Sequence, residues 1–522
     1  MLKFAFQNFN SQLNTRVRKV PRFFLPLLLF LLCAFIFYNL FAGYKQDFRP
    51  QGVHFWAQAD RFSIARNYYD NGLNFLAPQT NYLELSEGKT GVEFPAIQYL
   101  TALIAKPFGA RDHLFLIYRT LCFLFLSLGA LFLMKTIKIH GGNAIQQLLI
   151  PVFYILSPVL LFYGFNLLPD VPAFALILVS YYYFETFRLN LNFNAVYYAI
   201  AFGFVAAMLK ITSAIFPLAY LFWILTYSYG IEKQINRSKI IKIVLFFLAS
   251  FSIWLGITYY FTIRANALYQ SSVFLSMSRH INDWNNFSEI WESIVCWHRE
   301  YFRETQYWII LIAFFISLNP RFKNKGVFWF KSTVLMGLFC FIILMGKQLI
   351  NHDYYAICTL IPAIIIFSLD GLMILSKGCM GVVLLFYFVQ NIAPKSIKQS
   401  INRQNEVYNL PCREIWDYRG YMVEGAKWVD ENHVPKSDRI FVLYDYPLNT
   451  PLVYLDRKGM VFNHFKMKDK VLVEHWFKTL KPQYVVIPKQ WNACLMEDQK
   501  EIAQNLALIF QGNQVCIYKS IR

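Results

Sequence analysis

The chain has 522 residues, of which 57% are hydrophobic, 19% aromatic and only 16% charged, and its mean hydropathy is +0.36. Soluble domains run at about 45–50% apolar and about 25% charged, which excludes an ordinary water-soluble enzyme and points to a multi-pass membrane protein. The formal net charge of +19 would suggest nucleic acid in a soluble protein. Here much of the excess lies in short loops between apolar blocks, where membrane topology places it, so no nucleic-acid partner is expected.

Residues 1–22 carry Lys3, Arg16, Arg18, Lys19 and Arg22 and no acid, and the apolar run Phe23–Phe41 follows. A signal peptide has a shorter apolar core and a small-residue cleavage site. Neither is seen, so the run reads as an uncleaved first span with its N-terminus in the cytoplasm. Residues 43–113 then fall outside. This loop holds the densest cluster of Asp, Arg, Glu and Tyr in the chain. Pro95 and Pro107 bracket a stretch near 93–108 that reads as a re-entrant or surface helix.

From Leu114 the apolar blocks recur. They are Leu114–Met134, roughly Ala144–Phe165, Val171–Phe187, Ala195–Leu209, Ile211–Tyr229 and Ile243–Ile263. A second outer loop covers about 264–306, and then come Tyr307–Leu318, Val327–Met345, Tyr355–Leu369 and Leu372–Val389. With the first run this makes about eleven spans of a bilayer core about 30 Å thick. The strongest basic loops, 233–242 and 321–325, both land in the cytoplasm, as the positive-inside rule asks. The organisation expected is a cytoplasmic N-terminus (1–22), a transmembrane catalytic domain (23–390) and an extracytoplasmic α/β domain (391–522). In that last domain RIFVLYDY, QYVVIP and QVCIYK read as strands and 495–509 as a charged helical stretch. It shows no Gly-rich phosphate loop and no nucleophile elbow, and reads as an accessory or acceptor-facing domain.

The nine cysteines are scattered singly and show no metal-ligand spacing. Cys494 and Cys516 could pair outside the cytoplasm, although free thiols are the expectation.

Asp60, in FWAQADRFSIARNYYDNG, is the first candidate for chemistry. Phe62, Ala65 and Tyr69 follow at helical spacing, which predicts an amphipathic surface helix with Asp60 near its N-terminus. A carboxylate there is favoured by the helix dipole, and an ionised Asp is a sensible general base. The bland alternative is a solvated loop acid paired with Arg61 or Arg66.

Asp170, in NLLPDVPAF, edges two apolar runs. A lipid-exposed acid at mid-bilayer costs about 2.5–3.5 kcal/mol, so a cavity or polar partner is expected. Helix capping between Pro169 and Pro172 is the compatible alternative. Lys210 interrupts an apolar run, and Lys347 and His352 follow in MGKQLINHDYYAIC. Snorkelling is the default for such lysines, but a cluster at outer ends suits a phosphate. Arg66 and Glu93 (in VEFPAIQYL) are assigned to substrate binding. His280, Asp283, His298 and Arg299 show no tight ligand spacing and read as ordinary loop residues.

Taken together, WAQADRFSIARNYYDNG, EFPAIQYLTALIAKPFG, LLPDVPAF, MLKITSA and HDYYAI, in that order, resemble the GT-C membrane glycosyltransferases. The likeness covers about residues 20–390. The branches most alike are bacterial relatives of the protein O-mannosyltransferases and of the lipid A aminoarabinose transferase. The resemblance implies an inverting transfer of sugar from a polyprenyl-phosphate carrier to an acceptor hydroxyl (lipid, glycan or protein) at the outer face of the inner, plasma, membrane. By position it makes Asp60 the general base and Asp170 a second acid. It sets Lys210, Lys347, His352 and Tyr354 around the lipid phosphate. It fixes no cofactor and leaves a divalent metal open. Departures exist: Arg61 stands where the mannosyltransferases carry a second acid, and Phe94–Pro95 replaces a Lys-Pro step, so the sugar does not transfer. A flippase for a lipid-linked sugar is the alternative. Transporters place functional charge near the midplane between repeated halves, and neither feature is seen here.

Overall fold

The computed structural model describes residues 23–44, 49–233, 235–271, 273–274, 280–318, 325–405 and 419–521. The basic N-terminal segment and residues 321–324 of the second basic loop lie outside them. The chain divides into two compact units. The first takes Met1–Gln46, Arg119–Thr258 and Met277–Arg413, and the second takes Asp47–Tyr118, Tyr259–Ser276 and Glu414–Arg522.

The protein is a polytopic α-helical membrane protein. Among the described residues six helices are long and apolar enough to cross a bilayer: Phe24–Gly43, Arg111–Ile139, Ile211–Ile231, Arg237–Tyr269, Lys325–Met345 and Cys379–Asn405. Shorter apolar helices are Phe193–Leu209, Glu304–Ser317 and Leu360–Leu375. The apolar run starting at Ala144 is bent by 77° between Ala144–Ile155 and Pro158–Gly164. Its cause is local. Pro158 cannot donate within a continuing helix and suits a first turn, and Ser157 Oγ caps that turn by accepting from the Leu160 N–H at 3.4 Å.

Leu360–Leu375 runs straight through the turn that composition suggests at 369–372. Asp370, expected in a loop, is helical and pairs with Lys331 at 3.0 Å. The break comes instead at Gly378, whose φ of 62° suits glycine. Seven residues earlier, a Cβ on Gly371 would collide with the Ala313 carbonyl. The absent side chain lets Leu360–Leu375 lie close against Glu304–Ser317, as small residues do between membrane helices.

The second unit is built on a five-stranded sheet of order β2-β1-β3-β5-β4, with β1 Ile440–Leu443, β2 Gly459–Phe462, β3 Tyr484–Pro488, β4 Leu506–Gln511 and β5 Val515–Ser520. β2, β1 and β3 run parallel, with Ile440 opposite Gly459 and Tyr484, and β5 and β4 are antiparallel. β1 and β2 are buried along their whole length, which is why they read as continuous apolar runs rather than alternating ones. The outer edge of β2 is not left open. Tyr82 bridges Gly459 in parallel, the Leu83 N–H donates to Gly459 O at 2.7 Å, and the Gly459 N–H donates to Asn81 O at 3.0 Å. The first outer loop therefore adds a short strand to a sheet formed some 370 residues later.

Helix Ala96–Ala105, between the two prolines, is 10 residues long, half of the ~20 needed to span. It packs beside Phe55–Asp70 through Ala102, Tyr68 and Tyr99, the two tyrosine rings lying edge to face at 5.3 Å. Cys516 lies inside β5 and Cys494 opens a separate short helix, and both thiols are free. Cys296, in contrast, is disulfide-bonded.

Candidate functional site

Asp60 belongs to the second unit, on helix Phe55–Asp70. No Gly or Pro interrupts that helix. It starts where His54 takes left-handed backbone (φ 55°), so that its carbonyl receives the N–H groups of Ala57 and Gln58. The helix is not the surface element that its spacing suggests. Gln58, Ala59, Phe62, Ser63, Ile64, Ala65, Asn67 and Tyr68 are all buried. Its polar face is covered by the loop strand, where Ser63 Oγ and Asn67 Nδ2 both donate to Asn81 Oδ1, at 3.0 and 2.9 Å.

The helix opens at Phe55, which puts Asp60 in its second turn, past the free N–H groups of the first four residues. The dipole therefore does little for it, and a side chain does more. Asn449 Nδ2 donates to Asp60 Oδ1 at 2.8 Å. Asn449 is itself fixed, since its Oδ1 accepts from the Tyr82 N–H at 3.0 Å. Burial pushes the Asp60 carboxyl up to about 6, against the opposing pull of the Asn449 hydrogen bond and the nearby Arg61 charge. At pH 7 it is ionised about ten to one yet holds more affinity for a proton than an ordinary aspartate, which is the range a general base needs.

Arg61 does not close on Asp60. It pairs with Glu93 at 2.6 Å and stacks over Phe274, which places Glu93 beside the Asp60 turn. Arg66 points elsewhere, to Asp456 at 2.8 Å and to the Val453 carbonyl at 3.0 Å.

The other sequence candidates lie in the first unit. Asp170 is the first residue of helix Asp170–Asn190. Lys210 sits where Phe193–Leu209 gives way to a 3₁₀ turn, in extended backbone. Both are buried, with Nζ 3.3 Å from the carboxylate. The Cys358 thiol donates to the Asp170 carbonyl at 3.1 Å. Lys210 also lies 4.2 Å from the Tyr355 ring centroid and 5.2 Å from that of Tyr354, a cation–π arrangement. The His352 ring stands 5.3 Å from that of Tyr354. Asp170, Lys210, His352 and Tyr354 are thus brought together. Lys347, half-buried, precedes the short turn Gln348–Asn351 and makes no ion pair among the described residues.

Two elements escape a reading of the sequence. One is Asn449, a single amide with no pattern around it. The other is Arg403, which is fully buried with Glu300 at 2.8 Å and Asp353 at 2.5 Å, while the Tyr163 hydroxyl donates to Asp353 at 2.6 Å. Asp353 immediately precedes Tyr354, so this cluster fixes the turn that carries the aromatic side of the Lys210 group. Among the described residues no three His, Cys, Asp or Glu side chains converge as a metal site would require.

No protein-family model and no curated protein matches this chain in sequence. Solved structures match in fold. ArnT from Cupriavidus metallidurans bound to undecaprenyl phosphate superposes with a TM-score of 0.57 at 11% identity, over 95% of this chain and 98% of that one. Its apo state gives 0.50 at 13%, over 94% and 97%. The arabinofuranosyltransferase AftD from Mycobacteria gives 0.51 at 13% identity, over 94% of this chain but 41% of that one. The fold of this chain is thus shared with these solved structures, over nearly the whole length of ArnT.

Proposed function

We propose that the protein is an inverting glycosyltransferase that moves a sugar from a polyprenyl-phosphate carrier to an acceptor hydroxyl at the outer face of the inner, plasma, membrane. The observation that carries this reading is Asp60. It is a half-buried carboxyl with raised proton affinity, aimed by an amide that the backbone locks, in a chain with the GT-C fold. ArnT, with the same fold, is bound to undecaprenyl phosphate, and that supports a polyprenyl-phosphate donor here.

In the proposed step the acceptor oxygen attacks the anomeric carbon opposite the phosphate. Asp60 takes the hydroxyl proton as that bond forms, the bond from the anomeric carbon to the phosphate oxygen breaks, and the carrier phosphate leaves with the electron pair. A phosphate needs no acid if cations neutralise it, and Lys210, Lys347 and His352, with Tyr354, are assigned to that end. Arg66 and Glu93 line the acceptor side in this reading. Asp170 holds Lys210 in place through its ion pair. Base catalysis contributes about 10²–10⁴-fold, and electrostatic stabilisation of the leaving phosphate about as much or more.

Loop 264–306 and the sheet-bearing unit are assigned outside the cytoplasm and the N-terminus inside. The disulfide at Cys296 supports this, because disulfides persist in oxidising compartments.

The test is transfer of radiolabelled sugar from a panel of polyprenyl-phosphate sugars to delipidated host membranes by purified protein. Label moved with loss of the carrier bond establishes the reaction and its donor. No transfer from any donor by well-folded protein would sink the reading and favour a flippase.

Asn449 acts in this scheme as a positioning residue, and pH separates that role from mere packing. Its hydrogen bond lowers the Asp60 pKa, so Asn449→Ala should raise it. The acid limb of the kcat/KM profile, expected near pH 6 in the wild type, should move to higher pH. An unmoved limb with a uniformly lower rate would leave Asn449 only a structural part.

A further inference from the structure

The second unit contains an open pocket of about 340 Å³ that the proposed chemistry touches only through Arg66. Its wall brings five cations, Arg66, Arg111, Lys436, Arg457 and Lys458, against two acids, Asp70 and Asp456. Both acids are already engaged. Asp456 lies between Arg66 (2.8 Å), Arg111 (2.9 Å) and Lys436 (3.0 Å), and Asp70 takes a two-pronged contact from Arg111 with both distances 2.8 Å. Neither makes an ion pair with Arg457 or Lys458, which feel the Asp456 and Asp70 carboxylates only through space. The Arg457 guanidinium is clamped by the main-chain carbonyls of Leu455, Asp456 and Val434, and its buried Nε finds no acceptor among the described residues. Lys458 is half-buried and makes no ion pair among them.

We propose that this pocket binds a phosphate group, as a monoester or diphosphate, carried by the acceptor glycan. The inference rests on the transferase reading above and names its acceptor class. Five cations against two acids leave the wall with a net charge of about +3, which suits a phosphate. The volume is that of a small-molecule site, enough for the anion and the sugar that bears it.

Position supports the same assignment. Arg66 and Asp70 stand six and ten residues beyond Asp60 on one helix, about 9 and 15 Å along its axis at ~1.5 Å per residue. An anion anchored there leaves room for one or two sugar units reaching back toward the base. Burial pulls the Lys458 ammonium below the usual lysine range against the opposing pull of Glu87 and Asp70, and burial also lowers Arg457 against Asp456. A bound phosphate would reverse both.

The experiment titrates inorganic pyrophosphate calorimetrically into the full-length protein in phospholipid-free detergent, at low salt. The wild type should bind. The Lys436→Gln/Lys458→Gln double variant should bind at least tenfold more weakly, and Lys458→Glu, which touches neither acid, should bind no better than the double variant. Equal affinity in all three would overturn the proposal, because the cations would then be no more than a structural ion-pair cluster. Repeating the titration in nanodiscs distinguishes the source of the phosphate. Binding that survives in phosphatidylcholine but vanishes in phosphatidylglycerol would overturn the acceptor assignment in favour of a lipid headgroup. Binding in both supports the glycan. Pyrophosphate binding needs no sugar transfer. Binding without transfer from any donor would therefore fail the transferase reading and leave the anion site standing, whereas transfer without binding would fail the pocket alone.

Discussion

Asp60→Asn should cost about 10²–10⁴-fold in turnover, the usual worth of a general base, while donor binding stays close to that of the wild type. The same substitution should make the protein more stable. The Asp60 carboxyl titrates near 6 in the fold against 3.8 as its ordinary value, so the folded state prefers the protonated form. Keeping it ionised costs stability above pH 6, by about 3 kcal/mol for a shift of about two units. That cost shrinks as pH falls through 6 and is gone below about 4. Asparagine keeps the shape and has no charge to bury. A thermal melt at pH 7.5 should therefore place Asp60→Asn above the wild type, with the gap closing toward pH 4. Asp445, also raised to about 6 by burial, adds a term of the same sign in both proteins and cancels in the comparison. A variant that keeps more than about a tenth of the activity would remove Asp60 from the base role, given the range above. A lost rate with no gain in stability would show that the carboxylate is not held at a cost.

Arg403→Leu should be the most damaging single change to the fold. It strips the counter-charge from Glu300 and Asp353, both fully buried. Breaking one buried pair in this way costs about 3–5 kcal/mol, against a total stability of about 5–15 kcal/mol for a typical domain. Loss of yield, or aggregation on extraction, is the expected result. The triple variant Arg403→Leu/Glu300→Gln/Asp353→Asn should recover much of the loss, because neutral partners no longer need a cation. If Arg403→Leu melts within about 2 °C of the wild type, a shift worth roughly 1 kcal/mol in a domain of 150–250 residues or more, the two acids are not uncompensated and the argument fails. Tyr354 and Tyr355 follow Asp353 directly, so partial survivors should lose affinity for the donor before they lose the fold.

The residues that sequence patterning exposes are those whose chemistry clashes with their surroundings. Lys210 within an apolar run and Asp170 between two prolines had to find partners, and they found each other. Asp60 stood out as an acid in a polar loop that had no other reason to be dense. The three strands rich in β-branched and aromatic residues became β1, β3 and β5. Gly459–Phe462 and Leu506–Gln511 were missed, the first because its apolar run is only Met460–Phe462 between Gly459 and Asn463, and the second because charged helical turns run up to Asn505. Asn449 could not be found by any local rule, since its meaning lies in a partner 389 residues away. The same holds for Arg403, one basic residue in a polar helix whose partners stand 50 and 103 positions earlier. Periodicity reports on faces and lengths, and pairings between distant segments leave no trace in it.

The strand that Asn81–Leu83 adds to the β2 edge also sets an order of events during synthesis. Asn81 emerges from the ribosome 376 residues before Arg457, whose carbonyl accepts from its side chain. At about 5–20 residues per second, the first loop waits some 20–75 s for the sheet that completes it. Throughout that interval the side chains of Ser63, Asn67 and Asn81 have only one another, their neighbours in the loop such as Asn71, and water as partners. The helix that carries Asp60, the proposed base, is thus among the first parts of its unit to be made and the last to be locked, and no truncated chain lacking the C-terminal strands can present a finished Asp60.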